Sequence, residues 1–308
     1  MGLAVLFPGQ GTQFPGMGEP WRATDAWSIV ERAEAALDLP LSDLLLVADA
    51  DQLARTRDAQ LAVLLASLMA WEAVRDSVEA PMAFAGHSLG QVTALIASGA
   101  LSLEDGVNFA AQRAGATQSA ADARPGRMAA LIGATLEQAQ AACGPDHDED
   151  VATCWVANDN APGQVVLGGT PEGIEQAIAR SPGLGIRRVI PLNVGAAFHT
   201  PLMAPAAADL APDLAATRFA TPTAPVVANT DAAPHDGADG WPVRLTSHLV
   251  SPVRWRESML TLAALGADMF LEVGPGSVLS GLARRTVPGI ASRNVSAPGD
   301  VPALSEVA

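Results

Sequence analysis

The chain contains no lysine. All 18 of its basic residues are arginine, against 33 acidic ones, for a formal net charge of −15 over 308 residues. So acidic a balance, with a sequence pI near 4.6, argues against nucleic acid and anionic membrane as main partners. Long apolar runs are also missing: the longest, Leu61 to Trp71, falls short of the ~20 residues that span a bilayer. The opening "MGLAVLFPGQG" lacks a basic segment and soon turns into a Gly/Pro loop, so it reads as a first strand rather than a secretory signal. Leu6 stands where an N-myristoylation signal needs Ser or Thr. Two cysteines, Cys143 and Cys154, make neither a disulfide framework nor a zinc site. They read as free thiols, and a cytoplasmic location fits them best. The acidic loops "DHDED" and "PHDGADG" match no metal-ligand spacing, so no metal is expected.

What is present is an ordinary globular composition, 49% hydrophobic and 17% charged, long enough for a large core. Strand-like and helix-like segments alternate at first: strands at 3–7 and 82–86, helices at 24–37, 59–76, 89–99 and 103–121. That alternation predicts a parallel α/β sheet. The pattern then changes. Strand 128–133, helix 135–143, strands 151–157 and 164–168 around a turn rich in Asn, Asp, Pro and Gly, helix 171–180 and strand 185–192 read βαββαβ, the ferredoxin-like unit. We therefore expect a large catalytic domain from 1–123 and 195–308, with a small subdomain inserted at 124–194. Helix 206–214, strand 225–228, helices near 241–250 and 255–265, and a strand, Gly-rich turn and helix in "DMFLEVGPGSVLSGLARR" complete the reading. The tail "SAPGDVPALSEVA" reads as poorly ordered.

The chemistry centres on Gly86-His87-Ser88-Leu89-Gly90, placed between the strand "MAFA" and the helix "TALIASGA". Gly-x-Ser-x-Gly at a strand-to-helix turn is a nucleophile elbow. It exposes the serine hydroxyl and aims the N–H groups of the following helix at the place where an oxyanion develops. A serine hydroxyl needs a base, and five histidines are available. His147 and His235 lie in polar loops, His248 lies in a helix-like stretch, and His87 adjoins the serine too closely to face it well. His199, in "NVGAAFHTPLM", follows an apolar strand and a small-residue turn and precedes a helix, the place of a positioned base. A further 109 residues after it set the chain apart from a plain α/β-hydrolase, whose histidine comes late.

Five segments together resemble the malonyl-CoA:acyl carrier protein transacylase family: "FPGQGTQFPGMG", "GHSLGQVTALIASGALS", "NDNAPGQVVLGG", "FHTPLM" and "SPVRW…FLEVGPGSVLSGLARR". The resemblance covers nearly the whole chain. It implies an α/β-hydrolase-like large domain with a ferredoxin-like insert and a ping-pong transfer of malonate through an acyl-serine. The substrates would be malonyl-CoA and the phosphopantetheine thiol of an acyl carrier protein, with no bound cofactor and a monomeric enzyme. It also implies Ser88 as nucleophile, His199 as base, and the backbone N–H groups of Gln10 and Leu89 as oxyanion hole. The main-chain carbonyl of His248 would orient His199, at a position where relatives often carry Gln.

Arg113, 25 residues after Ser88 and 15 before Met128, matches the family's carboxylate-binding arginine. Phe198 matches the position where Phe accompanies malonyl and Ser accompanies methylmalonyl selection, because the ring fills the space of a C2 methyl. Gln60 aligns with a glutamine lining the site, although Leu61 replaces the usual Pro. Gln91 replaces the usual Glu after the elbow. An acidic carrier protein would need a local basic patch, for which Arg187 and Arg188, or Arg284 and Arg285, are the candidates. Transfer of another acyl group in a polyketide pathway, an acyl-carrier-protein hydrolase of the same fold, and an inactive docking protein are the alternatives.

Overall fold

A computed structural model of the chain describes residues 2–78, 80–144 and 153–301. Ten strands run through them: β1 (Leu3–Phe7), β2 (Ala83–Gly86), β3 (Arg127–Ile132), β4 (Cys154–Ala161), β5 (Gln164–Gly169), β6 (Arg188–Pro191), β7 (Val226–Val227), β8 (Pro234–His235), β9 (Met269–Val273) and β10 (Ala291–Val295). They form two sheets. The larger has the order β10-β9-β1-β2-β7-β8 and is parallel except for the β7–β8 edge. The smaller, β4-β5-β3-β6, is antiparallel throughout. The mixed architecture is the α/β fold with a second, ferredoxin-like sheet that the sequence predicts.

Strand β1 shows why the large sheet is parallel and covered on both faces. All five of its residues are buried. Leu3, Val5 and Phe7 join a core built on the helix Thr56–Val74, while Ala4 and Leu6 face a second core containing Trp255, Met259 and Phe270. A strand with apolar side chains on both faces needs helices on both sides. The helix Thr56–Val74 is itself buried all round from Ala59 to Trp71, so its Gln60 is carried into the interior.

The small sheet packs one face on the helices Leu136–Cys143 and Pro171–Arg180. Its other face, with Met128, Ala130, Ala157 and Val166, packs on Phe198. Cys143 and Cys154 are free thiols buried in this unit, their sulfurs 3.4 Å apart.

The structure corrects several boundaries. Strand β4 does not end at 157 but runs on to Ala161, through Asn158, Asp159 and Asn160, which composition had assigned to a turn. These three are buried because β4 also meets Val253, Arg256 and His87. Asn158 bridges Val253, the Asp159 N–H donates to the Val253 carbonyl, and the Asp159 carboxylate accepts from Arg256 Nε at 2.8 Å. The predicted strand at 185–192 is only Arg188–Pro191, since Gly185 takes a left-handed turn after Ser181–Leu184. Strand β10 was missed because its burial is only partial and its residues are polar. The tail begins with a turn at Pro298–Asp300, held by the Asp300 carboxylate on the Ser296 and Ala297 N–H groups. The rest of the tail, and the "DHDED" loop with His147, lie outside the described residues. Among the described residues no helix is long and apolar enough to cross a membrane, and no cluster of three or more His, Cys, Asp or Glu could hold a metal ion.

Candidate active site

Strand β2 ends at Gly86 and the helix Gly90–Ala97 begins four residues later. The turn between them closes so tightly that a Cβ on Gly86 would sit 1.8 Å from the Gly90 carbonyl oxygen. A Cβ on Gly90 would sit 2.1 Å from that of Phe7. Only glycine fits either place. Between them Ser88 takes φ +53°, the left-handed region that side-chain-bearing residues avoid. Leu89 is the N-cap of the helix, where the first N–H groups have no helical acceptor.

Ser88 Oγ lies 2.7 Å from His199 Nε2, and His199 Nδ1 lies 2.8 Å from the main-chain oxygen of His248. A carbonyl only accepts, so Nδ1 carries the proton and Nε2 is left as the acceptor for the serine hydroxyl. The His248 carbonyl is free for this because it lies in the last turn of the helix Trp241–Val250, and its i+4 partner would be Pro252, which has no N–H. Burial holds His199 far below the ordinary histidine range, at about 3; the Arg113 charge adds to this, and the bond to His248 opposes it. The imidazole is therefore neutral at physiological pH. The His248 ring stacks on it, tilted by 30° at a centroid distance of 4.8 Å, and is also held well below its ordinary value by burial.

Arg113 comes from the helix Leu103–Ala123, whose start is fixed by Ser102 Oγ accepting the Asp105 N–H. Arg113 as a whole is only 4% exposed. One arm donates to Gln60 Oε1 at 2.6 Å and the other to Ser88 Oγ at 3.2 Å. Both partners are neutral. Burial lowers the guanidinium pKa to about 10, which still leaves it charged at neutral pH.

These residues meet in one cleft of about 630 Å³ between the two sheets. Ser88, Leu89, Gln10, Gln60, Arg113, Phe198 and His199 all line it, and His248 supports His199 from behind through its carbonyl. Residues of the small sheet, among them Met128 and Val166, form the opposite wall.

Comparison with known proteins identifies the family. Residues 5–299 match the acyl transferase domain family. The malonyl CoA-acyl carrier protein transacylase of Bacillus subtilis strain 168 is 37% identical, with 96% of this chain and 94% of that protein covered. The Escherichia coli K12 protein of the same name is 36% identical, with 99% of each chain covered. The chain belongs to the malonyl-CoA:acyl carrier protein transacylase family. Among solved transacylase structures, the acyl-carrier-protein S-malonyltransferase of Bartonella henselae superposes with a TM-score of 0.93 at 33% identity, over 100% of this chain and 99% of that one. A malonyl-transacylase in complex with its holo type II PKS acyl-carrier protein gives 0.93 at 32% identity, with 99% of each chain covered.

Within this transacylase framework the remaining histidines separate. His87 also lines the cleft but is engaged elsewhere: its Nε2 lies 2.8 Å from Asn160 Oδ1 and its ring meets Trp255 edge-on. His235 pairs with Asp231 at 3.0 Å and takes no part in the cleft. Sequence reasoning missed Asn160 and Asn229. Asn160 lay in a presumed turn, and Asn229 is 141 residues from the serine whose N–H it binds. No local signal marks either one.

Proposed function

We propose that this enzyme moves a malonyl group from malonyl-CoA to the phosphopantetheine thiol of an acyl carrier protein by a ping-pong acyl-serine mechanism. Ser88 Oγ attacks the thioester carbonyl carbon and gives its proton to His199 Nε2. The tetrahedral oxyanion is held by the N–H groups of Leu89 and Gln10. The C–S bond breaks, the proton passes from His199 to the departing CoA sulfur, and a malonyl-serine ester remains. The carrier's thiol then gives its proton to His199 and attacks the ester, and Ser88 recovers its proton as the C–O bond breaks. The His248 carbonyl stabilises the imidazolium formed in each step.

The observation that carries this reading is Arg113. A buried guanidinium whose partners are both neutral, set 3.2 Å from a candidate nucleophile, is suited to a substrate that brings its own negative charge. Gln60 holds the guanidinium in place, leaving it to grip the free carboxylate of malonate. Phe198 fills the space beside C2. All these groups belong to one chain, so a monomer is competent, and a cytoplasmic setting suits a CoA-dependent reaction. The domain division at 1–123 with 195–308, and 124–194, puts the cleft at their junction.

For the carrier protein we favour the helix Val278–Thr286. Val278, Leu279 and Leu282 line the cleft, while Arg284 and Arg285 are exposed in its last turn. Arg187 and Arg188 are exposed at the start of the edge strand β6 and offer a second positive contact. The test is charging of a holo acyl carrier protein. Malonyl-CoA with enzyme should give the malonyl-carrier and free CoA, and charge reversal at Arg284 and Arg285 should slow the second half-reaction alone. Release of free malonate without carrier charging would support the hydrolase reading instead.

A further inference from the structure

Ser88 holds a left-handed backbone conformation that persists only where the surroundings enforce it. The enforcing group is Asn229. Its Oδ1 accepts the Ser88 N–H at 2.8 Å and its Nδ2 donates to the Gly86 carbonyl, also at 2.8 Å. One carboxamide thus spans the elbow from the residue before His87 to the residue after it. The placement follows from the sheet. Strands β2 and β7 pair in parallel at Phe84–Val226 and Ala85–Val227, and there the main-chain ladder stops. Two residues beyond β7, the Asn229 side chain replaces the peptide group that a longer ladder would have supplied.

Asn229 is itself pinned. It is fully buried; its N–H donates to Gln91 Oε1 at 2.6 Å, and its carbonyl accepts the Arg254 N–H at 3.0 Å. All four polar atoms are in use. Gln91 belongs to the helix that follows the elbow, so residues 86, 88 and 91 all tie to residue 229.

We infer that Asn229 is a positioning residue: its carboxamide holds Ser88 in the left-handed conformation that presents Oγ to His199, with Gln91 as its support. The inference rests on Ser88 being the nucleophile. Without the clamp the Ser88 N–H and the Gly86 carbonyl lose their partners, the turn relaxes, and the 2.7 Å contact between Oγ and Nε2 is lost. A misplacement of about 1 Å at a reacting group costs on the order of 100-fold in rate.

The test is rapid-quench intact mass of the enzyme with malonyl-CoA. It reads three quantities: the fraction of chains acylated, the acylation rate constant, and the half-saturating malonyl-CoA concentration. Asn229→Ala should lower the rate constant by about 10- to 100-fold with the labelled fraction and half-saturation little changed. Asn229→Asp keeps an acceptor for the Ser88 N–H and should recover part of the rate. Gln91→Met should slow acylation less, and should add little to Asn229→Ala because both act through one clamp. A labelled fraction that falls while the rate constant of the remaining chains stays wild-type would mean a merely structural role and overturn the inference. So would unchanged kinetics in Asn229→Ala. If that variant does not fold, Asn229→Asp and Gln91→Met decide, and a wild-type rate in both overturns it. Labelling of a Ser88→Ala control would reject the nucleophile itself, and the positioning role with it, on separate grounds.

Discussion

The Nδ1 atom of His199 and the carbonyl oxygen of His248 lie 2.8 Å apart, at a helix end where Pro252 cannot supply the usual N–H. The contact fixes the imidazole tautomer without a third carboxylate. A buried carboxylate beside this ring would favour the imidazolium in the resting enzyme; a carbonyl favours it less, and the base stays neutral at rest.

That neutrality predicts a pH profile. Burial and the Arg113 charge hold His199 at about 3, so its base form is present throughout the neutral and mildly acidic range. Acylation kcat/KM for malonyl-CoA should stay nearly flat from about pH 8 to pH 5. An acid limb with its midpoint at the ordinary histidine value near 6.5 would contradict it.

The same burial predicts acid sensitivity of the fold. His87, His199 and His248 are all lowered from 6.5, chiefly by desolvation. For a histidine lowered on folding, the unfolded chain binds the extra proton between the folded and unfolded pKa values. Stability is therefore full above 6.5 and falls as pH drops toward the folded value, for His199 about 3. Each such histidine contributes a slope of up to about 1.4 kcal/mol per pH unit. Asp159 and Glu272 are raised by burial and act in the opposite sense, gaining stability as they protonate. The urea midpoint should fall steadily between pH 6.5 and 5. A midpoint constant over that interval would contradict the assignment.

Arg113→Ala should cost malonyl loading far more than acetyl loading, because only malonate carries the carboxylate that the guanidinium would pair with. An unpaired buried charge costs roughly 3–5 kcal/mol, so the malonyl rate should fall by more than about 100-fold. Gln60→Ala should act in the same direction but more weakly, since it removes the 2.6 Å contact that holds the arginine and not the arginine itself. Equal losses with both substrates would remove Arg113 from substrate recognition.

Phe198→Ser should raise methylmalonyl loading relative to malonyl. The ring packs between the cleft and the Met128–Val166 face of the small sheet, and its removal opens the space that a C2 methyl needs. Competition between the two CoA esters, read as the ratio of acyl-enzymes, checks this. An unchanged ratio would place the selection elsewhere.

Much of this site was legible in the sequence because its signals are local. The two elbow glycines are dictated by the clashes of under 2.5 Å that a Cβ would make within one turn and with the neighbouring strand, and the pentapeptide records them. Alternating apolar segments marked most of the helices and strands around it, though not the short helices Leu41–Leu46 and Ala50–Leu53 or the strands β8 and β10. What escaped was long-range or disguised. Asn158, Asp159 and Asn160 carry turn-forming side chains, yet β4 stays extended because Val253, Arg256 and His87, all far away in the chain, give them partners. Asn229 follows a strand of only two residues, and nothing near it in the chain points to Ser88. Pro252, by contrast, was visible in "SPVRW"; its effect on the His248 carbonyl becomes readable only once the helix before it is known.

The central claim is a covalent malonyl-Ser88 intermediate. The most direct measurement is acid-quenched peptide mapping of the enzyme after brief exposure to malonyl-CoA in the absence of carrier protein. A single malonyl adduct on Ser88 is expected, absent in Ser88→Ala and discharged on adding holo acyl carrier protein. An adduct on another residue, or carrier charging with no adduct at Ser88, would contradict it.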